Sequence, residues 1–183
     1  MTCLFVNACF REGSRTECLS RRVVEQIAGE VEELDLASLD LHPLNRETLA
    51  IYNAGVAAHD FSSPIFAVAK QFAAADEVVI AAPYWNHGIP ALLHDYLELV
   101  CSQGVTFDIM PDGRYVSLCH ARRLTFVTTA GGPITPECDH AVAYIQTLCR
   151  EFWQVPEVRI VAADGLDVLG ANVEQLLQDA LQS

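Results

Sequence analysis

Basic residues are scarce in this sequence of 183 residues. Its 11 Lys and Arg stand against 24 Asp and Glu, which leaves a formal net charge of −13. A chain with this balance is repelled by the phosphates of nucleic acids and by anionic lipid surfaces. We therefore expect no nucleic-acid partner and no membrane association. An anionic ligand would need a local site built from basic side chains or backbone amides.

Long apolar runs and paired cysteines are missing as well. Runs such as 77–82 fall well short of the roughly 20 residues that cross a bilayer, and the first residues show no basic-then-apolar leader. The seven cysteines include no CxxC pair and no Cys–His grouping with zinc-ligand spacing. An odd, unpaired set favours a reducing compartment, so we expect a cytoplasmic protein without a metal site.

Hydrophobic residues are plentiful, at 51%, which is enough for one domain over residues 1–183. Short runs of strand-forming residues alternate with segments whose apolar residues recur at helical spacing. Buried strands separated by amphipathic helices predict a parallel sheet with helices on both faces and right-handed crossovers. Five strands favour an α/β three-layer sandwich with the flavodoxin-like strand order 2-1-3-4-5. The predicted strands are 2–6, 31–36, 78–82, 124–128 and 158–162.

Capping residues predict where the helices begin. Two segments are longer than a minimal scaffold needs. Segment 40–62 is irregular, and segment 105–122 contains Pro111-Asp112-Gly113, which is typical of a hairpin turn. The predicted helix starts are Ser63 with Pro64, Pro90, Thr135 with Pro136 and Glu137, and Asn172.

The loop after the first strand is rich in groups that bind anions. Ligands of this strand order lie beyond the carboxyl ends of the strands, near the reversal between strands 1 and 3. Residues 9–16 offer two hydroxyls, two guanidiniums and the first free amides of a helix. We predict a phosphate site formed by Ser14, Arg15 and Thr16. The alternative is that Ser14 or Thr16 only caps the helix.

The same loop fits a second chemistry. Neither GxGxxG nor a phosphate loop ending in Gly-Lys-Ser/Thr is present. However, Cys9, Arg15 and Thr16 match the C-x5-R-S/T pattern of cysteine phosphatases, in which a thiolate attacks a bound phosphate. The carboxylate of Glu12 and the lack of an Asp-Pro pair for the general acid argue against this hypothesis.

Two further loops carry groups suited to a flat heterocycle. The loop after the third strand combines two aromatic residues with an amide and a histidine, a set that would stack a conjugated ring and contact its edge. The loop after the fourth strand has two adjacent glycines where backbone can approach a ligand closely. The alternatives are an aromatic core anchor and a simple turn. The candidate residues are Pro83, Tyr84, Trp85, Asn86, His87, Thr129, Ala130, Gly131 and Gly132.

Together the three loops resemble those of the NAD(P)H-dependent FMN oxidoreductases with a flavodoxin-like fold, the family of azoreductases and quinone reductases. The resemblance lies in residues 7–16, 82–86, 89–93 and 128–132. It implies that the first loop holds the flavin phosphate through Ser14, Arg15 and Thr16. It also implies that residues 83–87 line the isoalloxazine ring and that residues 129–132 reach its polar edge.

The implied activity is hydride transfer from NADH or NADPH through FMN to a quinone, an azo compound or a similar flat aromatic acceptor. Asn86 and His87 are candidates for orienting the ring or the substrate, and the resemblance implies a homodimer. The sequence departs from many relatives at Ala8-Cys9 and at His87, where serine and phenylalanine are common. Two alternatives stay open: a cysteine-dependent phosphatase using Cys9 and Arg15, and a flavodoxin-like electron carrier or redox sensor.

Overall fold

The strands of the sheet follow the predicted strand segments. In the computed structural model, which describes residues 1–182, five strands pair in parallel in the order β2-β1-β3-β6-β7. This confirms the flavodoxin-like order, with β6 and β7 as the fourth and fifth predicted strands. The strands are β1 (Thr2–Asn7), β2 (Glu30–Asp35), β3 (Glu77–Ala81), β4 (Phe107–Ile109), β5 (Tyr115–Ser117), β6 (Arg123–Thr129) and β7 (Glu157–Ala163).

Helices cover both faces of the sheet. Side chains alternate across a strand, so Leu4 and Val6 of β1 point into one core and Cys3 and Phe5 into the other. The first core is completed by α3, α4 and α5, and the second by α1 and α6. The result is the predicted three-layer sandwich. The helices are α1 (Arg15–Val24), α2 (Arg46–Ala58), α3 (Ala67–Ala74), α4 (Ala91–Val100), α5 (His140–Leu148) and α6 (Val173–Gln182).

The segment expected to be irregular, 40–62, contains α2. The helix has no fully buried residue, and its half-buried face (Thr48, Tyr52, Gly55 and Val56) includes a threonine and a glycine, so its apolar pattern in the sequence is weak. Its start is instead marked by a reciprocal capping box: the Asn45 side chain accepts from the backbone N–H of Thr48, and the Thr48 hydroxyl accepts from that of Asn45. The predicted hairpin in 105–122 is confirmed, because β4 and β5 pair antiparallel around Gly113.

One predicted helix start is confirmed in position and another is wrong. Ser63 is the N-cap of a short 3-10 turn, Pro64–Phe66, that leads directly into α3, although its side chain makes no capping bond. Residues 135–137 form a turn closed by the Cys138 N–H on the Thr135 carbonyl. Helix α5 begins later, because the Asp139 carboxylate accepts from the Val142 N–H at 2.9 Å and caps it. Asn172 does cap the last helix, through the Gln175 N–H.

The carboxyl ends of the strands meet at one edge of the sheet, and the chain continues their pairing into the loops. The Ala8 N–H donates to the Ala81 carbonyl at 2.8 Å, and the Tyr84 N–H donates to the Thr129 carbonyl at 3.1 Å. These bonds hold the loops after β1, β3 and β6 side by side. Within residues 1–182, no helix is both long and apolar enough to cross a membrane.

Candidate functional site

A pocket of about 390 Å³ opens at this edge of the sheet. It falls in the range of roughly 300–1,000 Å³ that is usual for small-molecule and cofactor sites. Its position, beside the ends of β1 and β3, is the switch point where doubly wound sheets bind ligands. The lining residues are 10–16, 83–85, 129–131 and Asp167.

Helix α1 begins at the wall of the pocket. Gly13 adopts a left-handed conformation (φ 69°), and the Ser14 hydroxyl caps the helix by accepting from the Glu17 N–H at 3.3 Å. The capping role considered for Ser14 is therefore present. Within the described residues, the backbone N–H groups of Arg15 and Thr16 donate to no acceptor. The pocket thus has free donors at the positive end of a helix.

Thr16 links the first loop to the loop after β6. Its hydroxyl oxygen lies 2.6 Å from the hydroxyl oxygen of Thr129, and both residues are buried. Each hydroxyl can donate or accept, so this contact gives the buried hydroxyl of each threonine a hydrogen-bond partner inside the protein. Thr16 therefore acts first as a tie between two loops.

Arg15 is held by a loop that the sequence analysis did not single out. Its Nη2 lies 2.6 Å from Oδ1 of Asp167, and its Nη1 donates to the Leu166 carbonyl at 3.1 Å. Asp167 follows β7 and lines the pocket, as do Phe10 and Arg11 from the first loop. One signal could have indicated Asp167: the loop after β7 also leaves the sheet at its carboxyl edge.

The loop after β3 forms a tight turn. The Trp85 N–H donates to the Gly88 carbonyl at 3.0 Å, and the reverse bond is 2.9 Å. Asn86 and His87 between them are both left-handed, with φ of 52° and 64°, as in the two-residue hairpin turns in which both central residues have positive φ. Both side chains are exposed, and neither lines the pocket, whereas Pro83, Tyr84 and Trp85 do.

Aromatic rings form one wall of the pocket. The ring of Trp85 is 45% exposed and packs edge-on against Phe10, with centroids 6.3 Å apart. The Tyr84 hydroxyl donates to the Cys138 carbonyl at 2.8 Å, which ties this loop to the turn before α5. Partial burial, with the Asp139 carboxylate nearby, raises the pKa of Tyr84, so the phenol stays a donor.

The loop after β6 is packed against the loop after β7. The Asp167 N–H donates to the Gly131 carbonyl at 2.9 Å, and the Gly165 N–H donates to the Gly132 carbonyl at 3.0 Å. A Cβ atom on Gly131 would collide with the Asp167 carboxylate, whereas one on Gly132 would meet no atom within 4 Å. Gly132 does not line the pocket. A side chain at residue 131 would therefore displace the Asp167 carboxylate from its present position.

The whole chain, residues 1–183, matches the protein family described as Flavodoxin-like fold (Flavodoxin_2). The protein belongs to this family. A relative from Coprothermobacter proteolyticus, named FMN-dependent NADH:quinone oxidoreductase, is 31% identical over 179 residues, covering 93% of this chain and 89% of its own. A relative of the same name from Caldicellulosiruptor bescii is 32% identical over 153 residues, covering 81% and 75%.

Solved structures agree with this flavodoxin-like assignment. The azoreductase from Bacillus anthracis strain Sterne superposes with a TM-score of 0.84 at 25% identity, covering all of this chain and 95% of that one. A FMN-dependent NADH-azoreductase from the Ames Ancestor strain, solved with FMN, superposes with a TM-score of 0.82 at 20% identity, covering 100% and 95%. The second match shows the shared fold.

Cys9 of this flavodoxin-like protein lies behind the pocket wall. Burial raises the pKa of its thiol to about 11, although the Ser14 hydroxyl acts in the opposite direction. Cys9 is not among the lining residues, and its Sγ lies 3.9 Å from the Ala81 carbonyl oxygen. The thiol is therefore neutral at physiological pH, and a neutral thiol is a poor nucleophile.

Proposed function

We propose that this protein is an FMN-dependent oxidoreductase that transfers hydride from NADH or NADPH through FMN to a quinone, an azo compound or a similar flat acceptor. One observation carries the proposal: a single pocket at the switch point joins free helix-terminal amides and guanidiniums to an aromatic wall and a glycine loop. The relatives named above carry this activity in their names and cover most of the chain.

The phosphate end of the pocket, residues 11–16 with Asp167, suits the phosphate of FMN. The free N–H groups of Arg15 and Thr16 lie at the positive end of α1, where anions are stabilised. The guanidiniums of Arg11 and Arg15 add charge-assisted donors. We assign the phosphate to the N–H groups of residues 15 and 16, the Arg15 side chain and the Ser14 hydroxyl.

The ring end of the pocket, residues 83–85 and 129–131, suits the isoalloxazine ring. Pro83, Tyr84 and Trp85 give it flat, largely apolar surface. Within residues 1–182, the backbone N–H groups of Gly131, which lines the pocket, and of Gly132, the next residue beyond the lining, donate to no acceptor, and we assign them to the polar edge of the ring. Asn86 and His87 are exposed and follow the pocket-lining Trp85 in the chain, and we assign them to orienting the ring edge or the incoming substrate. Thr129 and Ala130 complete the ring end.

The protein's part in the reaction is binding and orientation. The two-electron chemistry is supplied by FMN when it is bound. Free amides aimed at one edge of a ring stabilise negative charge that develops there, and the exposed face of Trp85 offers a flat surface for a nicotinamide or an acceptor. Hydride transfer through a bound flavin needs no nucleophilic side chain.

The phosphatase alternative is not favoured. It requires a Cys9 thiolate facing a bound phosphate, yet the thiol is neutral and lies outside the lining.

We also propose that the protein is a cytoplasmic homodimer. Seven cysteines without a disulfide among residues 1–182 suit a reducing compartment. Closed two-fold dimers are the commonest assembly of soluble proteins, and the resemblance to the oxidoreductase family implies the same. Light scattering on the purified protein tests the assembly, and a mass of 20.1 kDa alone would count against the dimer.

The activity is tested on the purified protein mixed with FMN, desalted, and examined by visible absorption. We expect retained flavin bands near roughly 375 and 450 nm that bleach on anaerobic titration with NADH or NADPH. We expect NADH to act, because the relatives are named for it. Bound flavin that bleaches with neither donor would favour an electron carrier or sensor. Absence of bound flavin would contradict the proposal.

A further inference from the structure

Asp167 places a carboxylate in direct contact with the arginine assigned to the phosphate. We propose that Asp167 is a specificity-determining residue: it competes with the ligand phosphate for Arg15 and thereby reduces the preference of the pocket for FMN over riboflavin, which lacks the phosphate. This inference rests on the proposed function, because it concerns the same pocket.

Backbone bonds hold the loop that carries Asp167 against the loop after β6. The Asp167 N–H donates to the Gly131 carbonyl at 2.9 Å, and the side chain packs so closely on Gly131 that a Cβ there would overlap it. Three residues earlier in the chain, the Asp164 carboxylate accepts from the Ile134 N–H at 2.6 Å. The loop after β7 is therefore anchored on the loop after β6, and Asp167 stays at the pocket wall.

Arg15 already has two partners before any ligand binds. Asp167 Oδ1 lies 2.6 Å from Nη2, and the Leu166 carbonyl accepts from Nη1 at 3.1 Å. A phosphate that approaches this guanidinium must share or replace the carboxylate. At neutral pH it brings a charge of about −1.5 to −2, so it also meets repulsion from Asp167.

The charged side chains of the pocket balance one another. Two are cations, Arg11 and Arg15, and two are carboxylates, Glu12 and Asp167. The side chains therefore offer a dianion no net positive charge, and the backbone N–H groups of α1 remain as the uncompensated donors. Without the charge of Asp167, the same lining would have a net positive charge.

Asp167 also has an opposite effect, because its contact holds Arg15 in one orientation. The substitution Asp167→Asn separates the two effects. The amide oxygen of Asn can still accept from Nη2, and the Leu166 carbonyl still accepts from Nη1. The negative charge is lost, and one carboxylate oxygen becomes an amide NH2 group. Because the Asp167 side chain is 66% exposed, solvent and salt screen this charge and the expected effect is moderate.

The test compares flavin-free wild-type protein with Asp167→Asn, using FMN and riboflavin as probes and flavin fluorescence as the readout. We expect FMN affinity to rise about 3- to 10-fold at low ionic strength and riboflavin affinity to stay unchanged. The gain in FMN affinity shrinks at about 0.5 M salt, where charges are screened over a few ångströms.

The matched control is Glu174→Gln. Glu174, on α6, lies outside the pocket and pairs at 2.8 Å with Arg22, which is on α1 as Arg15 is. The substitution Glu174→Gln changes the net charge of the protein by the same amount as Asp167→Asn and should leave the affinities for both flavins unchanged. Weaker FMN binding in Asp167→Asn, equal changes for FMN and riboflavin, or the same gain in Glu174→Gln would each overturn the inference. If neither protein binds either flavin, the proposed function fails and this inference fails with it.

Discussion

The two ends of the pocket are built from different interactions. At the phosphate end, long charged side chains hold one another: Arg15 contacts Asp167, and both are partly exposed. At the ring end, backbone holds backbone, through the Trp85–Gly88 turn and the bond from the Tyr84 N–H to the Thr129 carbonyl. Charge contacts near solvent are tunable and sensitive to salt, whereas a backbone frame tolerates change only where there is space.

This difference gives each end its own response to substitution. A change at the phosphate end should act on flavin affinity through charge and leave the fold intact. A change at the ring end should disturb the packing of the loops and lower the stability of the fold. The substitutions below test this contrast, beginning with the largest expected effect.

Removing the Arg15 side chain should cause the largest loss. Arg15→Ala deletes the guanidinium and leaves the Asp167 carboxylate unpaired beside the phosphate. We expect FMN binding to weaken by about 1.5–3 kcal/mol, the usual range for a hydrogen bond to a charged group, while riboflavin affinity changes little. Titration of flavin fluorescence in the flavin-free protein measures both.

The control for Arg15→Ala is Arg22→Ala on the same helix. Arg22 pairs with Glu174 and lies away from the pocket, so both flavins should bind as in wild type. Equal losses for FMN and riboflavin in Arg15→Ala would show that Arg15 supports the pocket as a whole and would remove the phosphate assignment.

Adding a methyl group to the glycine loop should have a smaller effect, and a structural one. In Gly131→Ala the new Cβ would overlap the Asp167 carboxylate, which must move away and leave Arg15. Because that carboxylate is the exposed end of a side chain, we expect a cost of about 1 kcal/mol, at the low end for overpacking. In a protein of this size, that lowers Tm by about 2–4 °C.

Gly132→Ala is the matched control, because its Cβ would meet no atom within 4 Å. Differential scanning calorimetry should find its Tm equal to that of wild type. If both substitutions lower Tm by the same amount, the close approach of Asp167 to Gly131 is not the cause of the decrease in Gly131→Ala.

The strand order was predictable because its signal is local and repeated. The central strands β1, β3 and β6 carry short buried runs, and only a few topologies accommodate such runs with intervening helices. Helix α2 was missed for the converse reason: none of its residues is buried. The Asn45 and Thr48 capping box was its one local signal.

The pocket was predictable where it follows from topology. The rule that ligands bind near the switch point directed attention to three loops, and all three line the pocket. Asp167 was not found because it follows β7, beyond the switch point, and a single Asp in a polar loop carries no signal of its own. Its importance arises from contacts with Arg15 and Gly131, both distant in sequence.

Substitution of Cys9 should have the smallest effect on FMN binding. It tests whether the Cys9 thiol contributes to the phosphate end of the pocket. Its thiol ionises near pH 11, so at pH 8 only about one molecule in a thousand carries a thiolate. At pH 8 and below it therefore adds almost no charge beside the phosphate. We therefore expect Cys9→Ser to bind FMN as wild type does from pH 6 to pH 8.

Alkylation of Cys9 checks the same point directly. Because the thiolate is the reactive form, its rate with iodoacetamide, followed by peptide mass spectrometry, should rise about tenfold per pH unit and level off only near pH 11. A rate that levels off near pH 8, or FMN binding that weakens in Cys9→Ser, would mean that a thiolate contributes to the phosphate end. In that case the contrast between a charged end and a backbone-framed end would have to include Cys9, and the phosphatase hypothesis would regain support.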